Sequence, residues 1–266
     1  MIKARDTLLS ALKQGGEALM MHLGLTSDVT VKESISSVVT EADLASEKVI
    51  LEIFQDTADP FNVITEEAGY IDHGSEYTWV VDPLDGTSNF AAGLPWFGVI
   101  IALFHKEVPI LGGMYIPVYK ELYITEQGKG SWKNSEAIRT ADSGKLEEQL
   151  VAYSFDFSDA PGKTESEMEI LKRLSKKVRN IRSTNSLVDF CYTADGRLGA
   201  ALNQTTKIWD IAVPWLMIRE AGGIVTDIRG EEIRFDLSAR KFSKNYTILA
   251  SGANLHELLM LTIDLK

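Results

Sequence analysis

The sequence predicts an α+β fold in which layered sheets are covered by helices, and three observations carry that expectation. Two amphipathic helical segments open the chain, hairpin-forming segments crowd the first half, and strands and helices mix in the second. With 266 residues, 45% of them hydrophobic, the chain can bury a substantial core as one large domain or two closely packed ones.

The first helix is expected over residues 4–22, with Leu8, Leu12 and Leu19 on one side. The second starts at "TEAD", where Thr40 serves as N-cap and Asp43, three positions later, completes a capping box. Ala45, Val49, Ile50, Ile53 and Phe54 follow at helical spacing. "FNVIT" and "YTWVVD" read as strands, and "GVIIALFH-KE-VPILGGMYIP" reads as a hairpin. "KELYITEQGKGSWKN" reads as another, turning at 127–130. The polar segment 140–145 is the expected boundary between an N-terminal α+β unit, 1–142, and a C-terminal α/β unit, 143–266. Beyond it the pattern predicts a strand at 149–155, a charged helix at 164–178 and a helix at 186–194 ended by Gly196. A helix at 210–221, a strand at 246–251 and a terminal helix complete the chain.

The longest notable apolar run, "FGVIIALF", is far too short to cross a bilayer. The charged N-terminal stretch lacks a signal-peptide core, and the single cysteine, Cys191, excludes an intrachain disulfide. A cytoplasmic protein with no membrane partner is expected. A formal net charge of −11 argues against nucleic acid, whose backbone requires a basic face. An acidic protein that handles a phosphorylated metabolite needs local positive charge, and a bound cation is one source of it.

Three acidic sites fall where elements end: Glu66 and Glu67 in "TEEAG", Asp82 and Asp85 in "DPLDGT", and Asp210 in "WDIA". Convergence of Glu66, Asp82, Asp85 and Asp210 would set like charges repelling by about 4 kcal/mol per pair at ~4 Å and an effective dielectric of ~20. Divalent cations would relieve that repulsion, and oxygen-only donors favour Mg²⁺, Mn²⁺ or Ca²⁺ over zinc. In "DPLDGT", Pro83 fixes a turn, Gly86 leaves room for a phosphate, and the amides of Gly86 and Thr87 begin a short helix. Thr87 is placed to bond an attacking water. A plain type I turn with a helix cap explains the same segment equally well. Asp210 reads as an N-cap, with Pro214 at the fourth helical position, where its missing amide hydrogen costs little.

Together "VVTEAD", "TEEAG", "WVVDPLDGTSNF" and "WDIAVPWLMIREAGG" resemble the inositol monophosphatase superfamily of Mg²⁺-dependent, lithium-sensitive phosphatases, over most of the chain. The resemblance implies a layered αβαβα sandwich. It implies that Glu66, Asp82 and the Leu84 carbonyl hold one metal, while Asp82, Asp85 and Asp210 hold a second. Glu66 and Thr87 would orient the water, the Gly86 and Thr87 amides would hold the phosphate, and Asp43 would stand just behind. Two or three Mg²⁺ per site are implied, with Mn²⁺ substituting and Ca²⁺ or Li⁺ inhibiting, in a homodimer. Asp85, Ser186, Asn203 and Asp210 would line the substrate.

Three departures bear on the alcohol half of that substrate. "TNSL" (184–187) replaces a small-residue stretch, Asn203 stands where the inositol enzymes carry a glutamate, and "VP" follows "WDIA". The resemblance favours inositol monophosphate or a sugar phosphate. 3′-Phosphoadenosine 5′-phosphate, histidinol phosphate and a non-catalytic metal-binding scaffold are the alternatives.

Other motifs carry less. Cys191 and Arg197 have the C-x5-R spacing of cysteine phosphatases, but Asp195 would repel a phosphate and the cysteine falls in a helix. The basic run 172–182 reads as a solvated helix face, and "DFSD" (156–159) lacks the spacing of an EF-hand loop. The four histidines show no ligand spacing.

Overall fold

The computed structural model describes residues 2–24, 30–31, 38–57, 60–141, 143–156, 159–238, 242 and 244–264. Asp142, at the expected unit boundary, and Phe157 and Ser158 of "DFSD" lie outside the described residues.

Helix α1 (Ile2–His22) is followed by β1 (Thr30–Val31) and β2 (Val38–Val39), an antiparallel pair. Then come α2 (Glu41–Gln55), β3 (Asn62–Thr65), β4 (Gly69–Ile71), β5 (Tyr77–Asp85) and the short α3 (Thr87–Ala91). The expected hairpins form as β6 (Gly98–His105) with β7 (Val108–Ile116), and β8 (Glu121–Glu126) with β9 (Gly130–Lys133). β10 (Glu136–Ala137) closes an eight-stranded sheet of order β10-β9-β8-β7-β6-β5-β3-β4. The second half contains β11 (Leu150–Ser154), α4 (Lys163–Leu174), β12 (Asn180–Arg182), α5 (Leu187–Ala194) and β13 (Ala200–Thr206). It continues with α6 (Ile208–Glu220), β14 (Gly223–Thr226), β15 (Tyr246–Gly252) and α7 (Ala253–Ile263). Its five strands order as β12-β11-β13-β15-β14.

Side-chain alternation along the strands stacks these elements into five layers. Trp79 and Val81 of β5 pack with Leu8 and Leu12 of α1 and Ile50 and Phe54 of α2. Val80, between them, points the other way and joins Ile211 and Val213 of α6 and Cys191 of α5. Ala152 of β11 and Ala201 of β13 meet that same middle layer from the small sheet. Val151, Tyr153 and Leu202 face outward onto Ile170 and Leu174 of α4 and Leu255 and Leu259 of α7. The result is helices, large sheet, helices, small sheet, helices: the αβαβα sandwich. Each fully buried aliphatic or aromatic side chain contributes roughly 1.5–3 kcal/mol.

Two differences from the expected elements have local causes. The charged helix stops at Leu174, so the run 172–182 spans a helix end and then the edge strand β12. β12, β13 and β14 carry no readable alternation in the sequence. β13, for one, buries Ala200, Ala201 and Leu202 in succession.

Candidate active site

In a regular strand, residues three apart face opposite sides of the sheet. Asp82 and Asp85 escape this because β5 carries a bulge. Asp82 lies opposite Ile100 and Asp85 opposite Gly98, so Pro83 and Leu84 together face the single residue Val99. The extra residue returns both aspartates to one face, and a bulge tolerates Pro83, which has no amide to give the ladder. The segment expected to be a turn is therefore the bulged end of a strand, and the chain turns only at Gly86. There φ is +84°, and an added Cβ would lie 2.5 Å from the Trp96 carbonyl oxygen and 3.2 Å from Ser186 Cβ. Only glycine fits.

Asp210 also differs from expectation. α6 begins two residues before it, so Asp210 is the third helical residue, and its Oδ2 accepts the Lys207 N–H at 2.6 Å. A carboxylate here satisfies one amide and suits the positive end of the helix. Pro214 becomes the seventh helical residue, where the bond it cannot give to the Asp210 carbonyl carries the full interior cost of about 3 kcal/mol.

Oxygens of Asp82, Asp85 and Asp210 lie within 4.8 Å of one another. Glu66 enters from the end of β3, which runs parallel to β5; its amide donates to the Val81 carbonyl at 3.3 Å. Burial, then Glu66, Asp85 and Asp210, push the Asp82 carboxyl well above the carboxylate range. Burial pushes Asp85 up to about 7, against a hydrogen bond from the Leu187 amide at the start of α5. Asp210 is raised by burial and then by Asp85. Mutually repelling oxygen-only donors, Asp82 buried and Asp85 and Asp210 half-buried, fit a hard divalent cation better than they fit one another.

Behind this trio, Asp43 divides its two oxygens. Oδ2 accepts the Thr40 amide at 2.7 Å, as a capping box requires, and also the Thr40 hydroxyl at 2.7 Å. Oδ1 lies 3.1 Å from the Thr87 hydroxyl, which is also 2.9 Å from the Leu84 carbonyl. Asn89 binds the two halves of the site, donating to the Trp96 carbonyl at 2.9 Å and the Thr184 carbonyl at 2.8 Å. This brings "TNSL" against "DGT". Ser186 caps α5, its hydroxyl 3.0 Å from that of Thr184. Asn203 is buried; its oxygen accepts the Thr205 amide at 2.7 Å, and its nitrogen lies 3.5 Å from Asn185 Oδ1.

Sequence reasoning missed Glu47. Its Oε1 accepts the Thr65 hydroxyl at 2.5 Å and the amides of Glu67 and Ala68 at 3.3 and 3.1 Å. These bonds hold the turn that carries Glu66. Glu47 lies one helical turn after Asp43, so a shared face of α2 was the available signal. Glu47→Gln is expected to keep the fold and raise by about tenfold the divalent-cation concentration that half-maximally raises the melting temperature. An unchanged titration would show that the turn needs no such support.

The remaining motifs settle into structural roles. Cys191 is fully buried in α5, and burial pushes its thiol up. Arg197 stacks 3.4 Å over the Tyr192 ring and bonds Asp195 and Glu121, so it clamps no phosphate. His256 sits between the hydroxyls of Ser251 and Thr226, and no histidine joins the acidic trio among the described residues. Among the described residues, no helix is long and apolar enough to cross a membrane.

A family model described as the inositol monophosphatase family matches residues 3–264. A Thermotoga maritima protein named fructose-1,6-bisphosphatase/inositol-1-monophosphatase is 32% identical over 248 residues, 93% of this chain and 91% of that one. A putative Nus factor SuhB of Neisseria meningitidis is 32% identical over 232 residues, 85% of this chain and 88% of that one. The solved extragenic suppressor protein suhB of Bartonella henselae superposes with a TM-score of 0.89 at 29% identity, covering 99% of each chain. The matched family is one of phosphatases, a class of hydrolase, and the five alternating layers and the carboxylate cluster agree with it. The chain belongs to the inositol monophosphatase family.

Proposed function

We propose that this chain is a Mg²⁺-dependent phosphomonoesterase that hydrolyses a small phosphorylated alcohol, inositol monophosphate or a sugar phosphate, by direct attack of water. The observation that carries the reading is the convergence of Asp82, Asp85 and Asp210 within 4.8 Å at the bulged end of β5. Glu66, Asp82 and the Leu84 carbonyl would hold one cation, and Asp82, Asp85 and Asp210 another. Bound cations would neutralise phosphate and leaving-group charge and lower the pKa of the attacking water.

Thr87 has one hydroxyl hydrogen and two acceptors on its inner side, Asp43 Oδ1 and the Leu84 carbonyl. The hydrogen is therefore spent inward, and Oγ1 offers a lone pair outward. It accepts a hydrogen bond from the attacking water, and Glu66 accepts one from the water's other hydrogen. The backbone of Gly86 and Thr87 would hold the phosphate in line with that water. Ser186, Asp85, Asn203 and Asp210 frame the alcohol.

A net charge of −11 supports a small metabolite over nucleic acid as partner, and the intact carboxylate set argues against a scaffold alone. A cytoplasmic homodimer is part of the proposal. The test is phosphate release from inositol, sugar, nucleotide and histidinol phosphates with Mg²⁺, with and without Li⁺. Release from an inositol or sugar phosphate that needs Mg²⁺ and is inhibited by Li⁺ is expected. Preference for 3′-phosphoadenosine 5′-phosphate or histidinol phosphate would move the chain to another branch, and no release from any ester would end the reading.

A further inference from the structure

The bulge that brings Asp82 and Asp85 to one face leaves residues 83 and 84 outside the regular ladder. A buried backbone group off the ladder still needs a hydrogen-bonding partner. Pro83 has no N–H, so the groups to be satisfied are its carbonyl and the amide and carbonyl of Leu84. Asp82 Oδ1 accepts the Leu84 N–H at 3.0 Å, and the Thr87 hydroxyl lies 2.9 Å from the Leu84 carbonyl. Both of these partners belong to "DPLDGT" itself. The Pro83 carbonyl is met from outside it, by the Ser46 hydroxyl of α2, which donates at 2.8 Å.

We propose that Ser46 is a positioning residue for the metal site, holding the bulge in the orientation that presents Asp82, the Leu84 carbonyl and Asp85 to a cation. The inference rests on the metal-dependent phosphatase reading above and adds to it a residue that the acidic motifs do not contain.

The Pro83 carbonyl and the Leu84 amide form one peptide unit, which is planar. Ser46 holds one end of that plane and Asp82 the other. The Asp82 end serves two purposes, since a cation would draw on the same carboxylate. Ser46 has no second duty: it is fully buried, and its one hydrogen is committed to Pro83. The neighbouring helix makes room for it. Gly15 falls in the interior of α1, where glycine is disfavoured. A Cβ there would lie 3.1 Å from the Ser46 hydroxyl oxygen and 2.9 Å from Ile50 Cδ1. One face of α2 thus addresses each irregular stretch that carries a ligand. Glu47 holds the turn bearing Glu66, Ser46 holds the bulge, and Asp43 reaches Thr87.

Titration of Mn²⁺ into chelator-treated protein, well below its melting temperature, tests this, with free Mn²⁺ read from its paramagnetic resonance signal. Ser46→Ala leaves the Pro83 carbonyl buried without a donor. It is expected to bind Mn²⁺ about tenfold more weakly than wild type. Ile50→Val, one turn further along α2, removes a buried methylene group but no hydrogen bond. It is expected to lower the melting temperature and leave Mn²⁺ affinity unchanged, which separates positioning from stability. Should Ser46→Ala not fold, Ser46→Cys fills the space with a weaker donor and is expected to weaken binding at least about threefold. An affinity in Ser46→Ala within about twofold of wild type overturns this inference alone, and so does an equal loss in Ile50→Val. Wild type that takes up no Mn²⁺ overturns the metal assignment and this inference with it.

Discussion

Asp210→Asn and Asp82→Asn are each expected to lower phosphate release by about a hundredfold or more while the protein stays folded. The fold survives because each asparagine keeps the local hydrogen bond. Its side-chain oxygen can still accept the Lys207 amide at position 210, or the Leu84 amide now 3.0 Å from Asp82 Oδ1. What it cannot keep is the negative charge that a divalent cation requires of its ligands. Without cation the variants are expected to be at least as stable as wild type, because one member of a repelling cluster has gone. Steady-state kinetics at saturating Mg²⁺, paired with thermal melts in chelator, read the two effects separately. Full activity in both variants would end the metal assignment.

Metal-free protein loses stability as pH rises, and divalent cation removes the loss. Asp82, Asp85 and Asp210 all have carboxyls raised in the folded state, chiefly by burial. The folded state therefore binds protons more tightly than the unfolded one. Its advantage is full below the ordinary carboxylate range and is lost as pH climbs from about 4 through the Asp85 value of about 7. His256, lowered by burial, opposes this and matters only as pH falls below its ordinary value of about 6.5. Cation at ~100 times its dissociation constant adds about 2.7 kcal/mol. At roughly 2–4 °C per kcal/mol for a chain near this size, the melting temperature rises by about 5–10 °C. Melts in EDTA and in Mg²⁺ from about pH 5 to pH 8 measure it. A chelated protein that is most stable at the alkaline end would contradict the cluster as described.

The local grammar of the chain was readable. Thr40 and Asp43 meet in the capping box that their spacing announces, because those bonds involve only neighbours in sequence. The hairpins at 98–116 and 121–133 form as patterned, and Cys191 is buried in its helix. The acidic positions were readable as a set through resemblance, since Glu66, Asp82, Asp85 and Asp210 sit in recognisable strings.

What the sequence by itself determined was therefore the elements with strong periodicity, their caps, and the list of carboxylates. The tertiary structure decided how those carboxylates meet. Residue spacing puts Asp82 and Asp85 on opposite faces of a strand, and only pairing with β6 creates the bulge that returns them to one face. The start of α6 at Ile208 makes Asp210 an inward-bonded third residue instead of a cap. Glu47 gained significance only from partners 18 to 21 residues away in sequence. Burial and like-charge repulsion are properties of that assembly, because a carboxylate becomes costly only when folding removes water and brings its neighbours close.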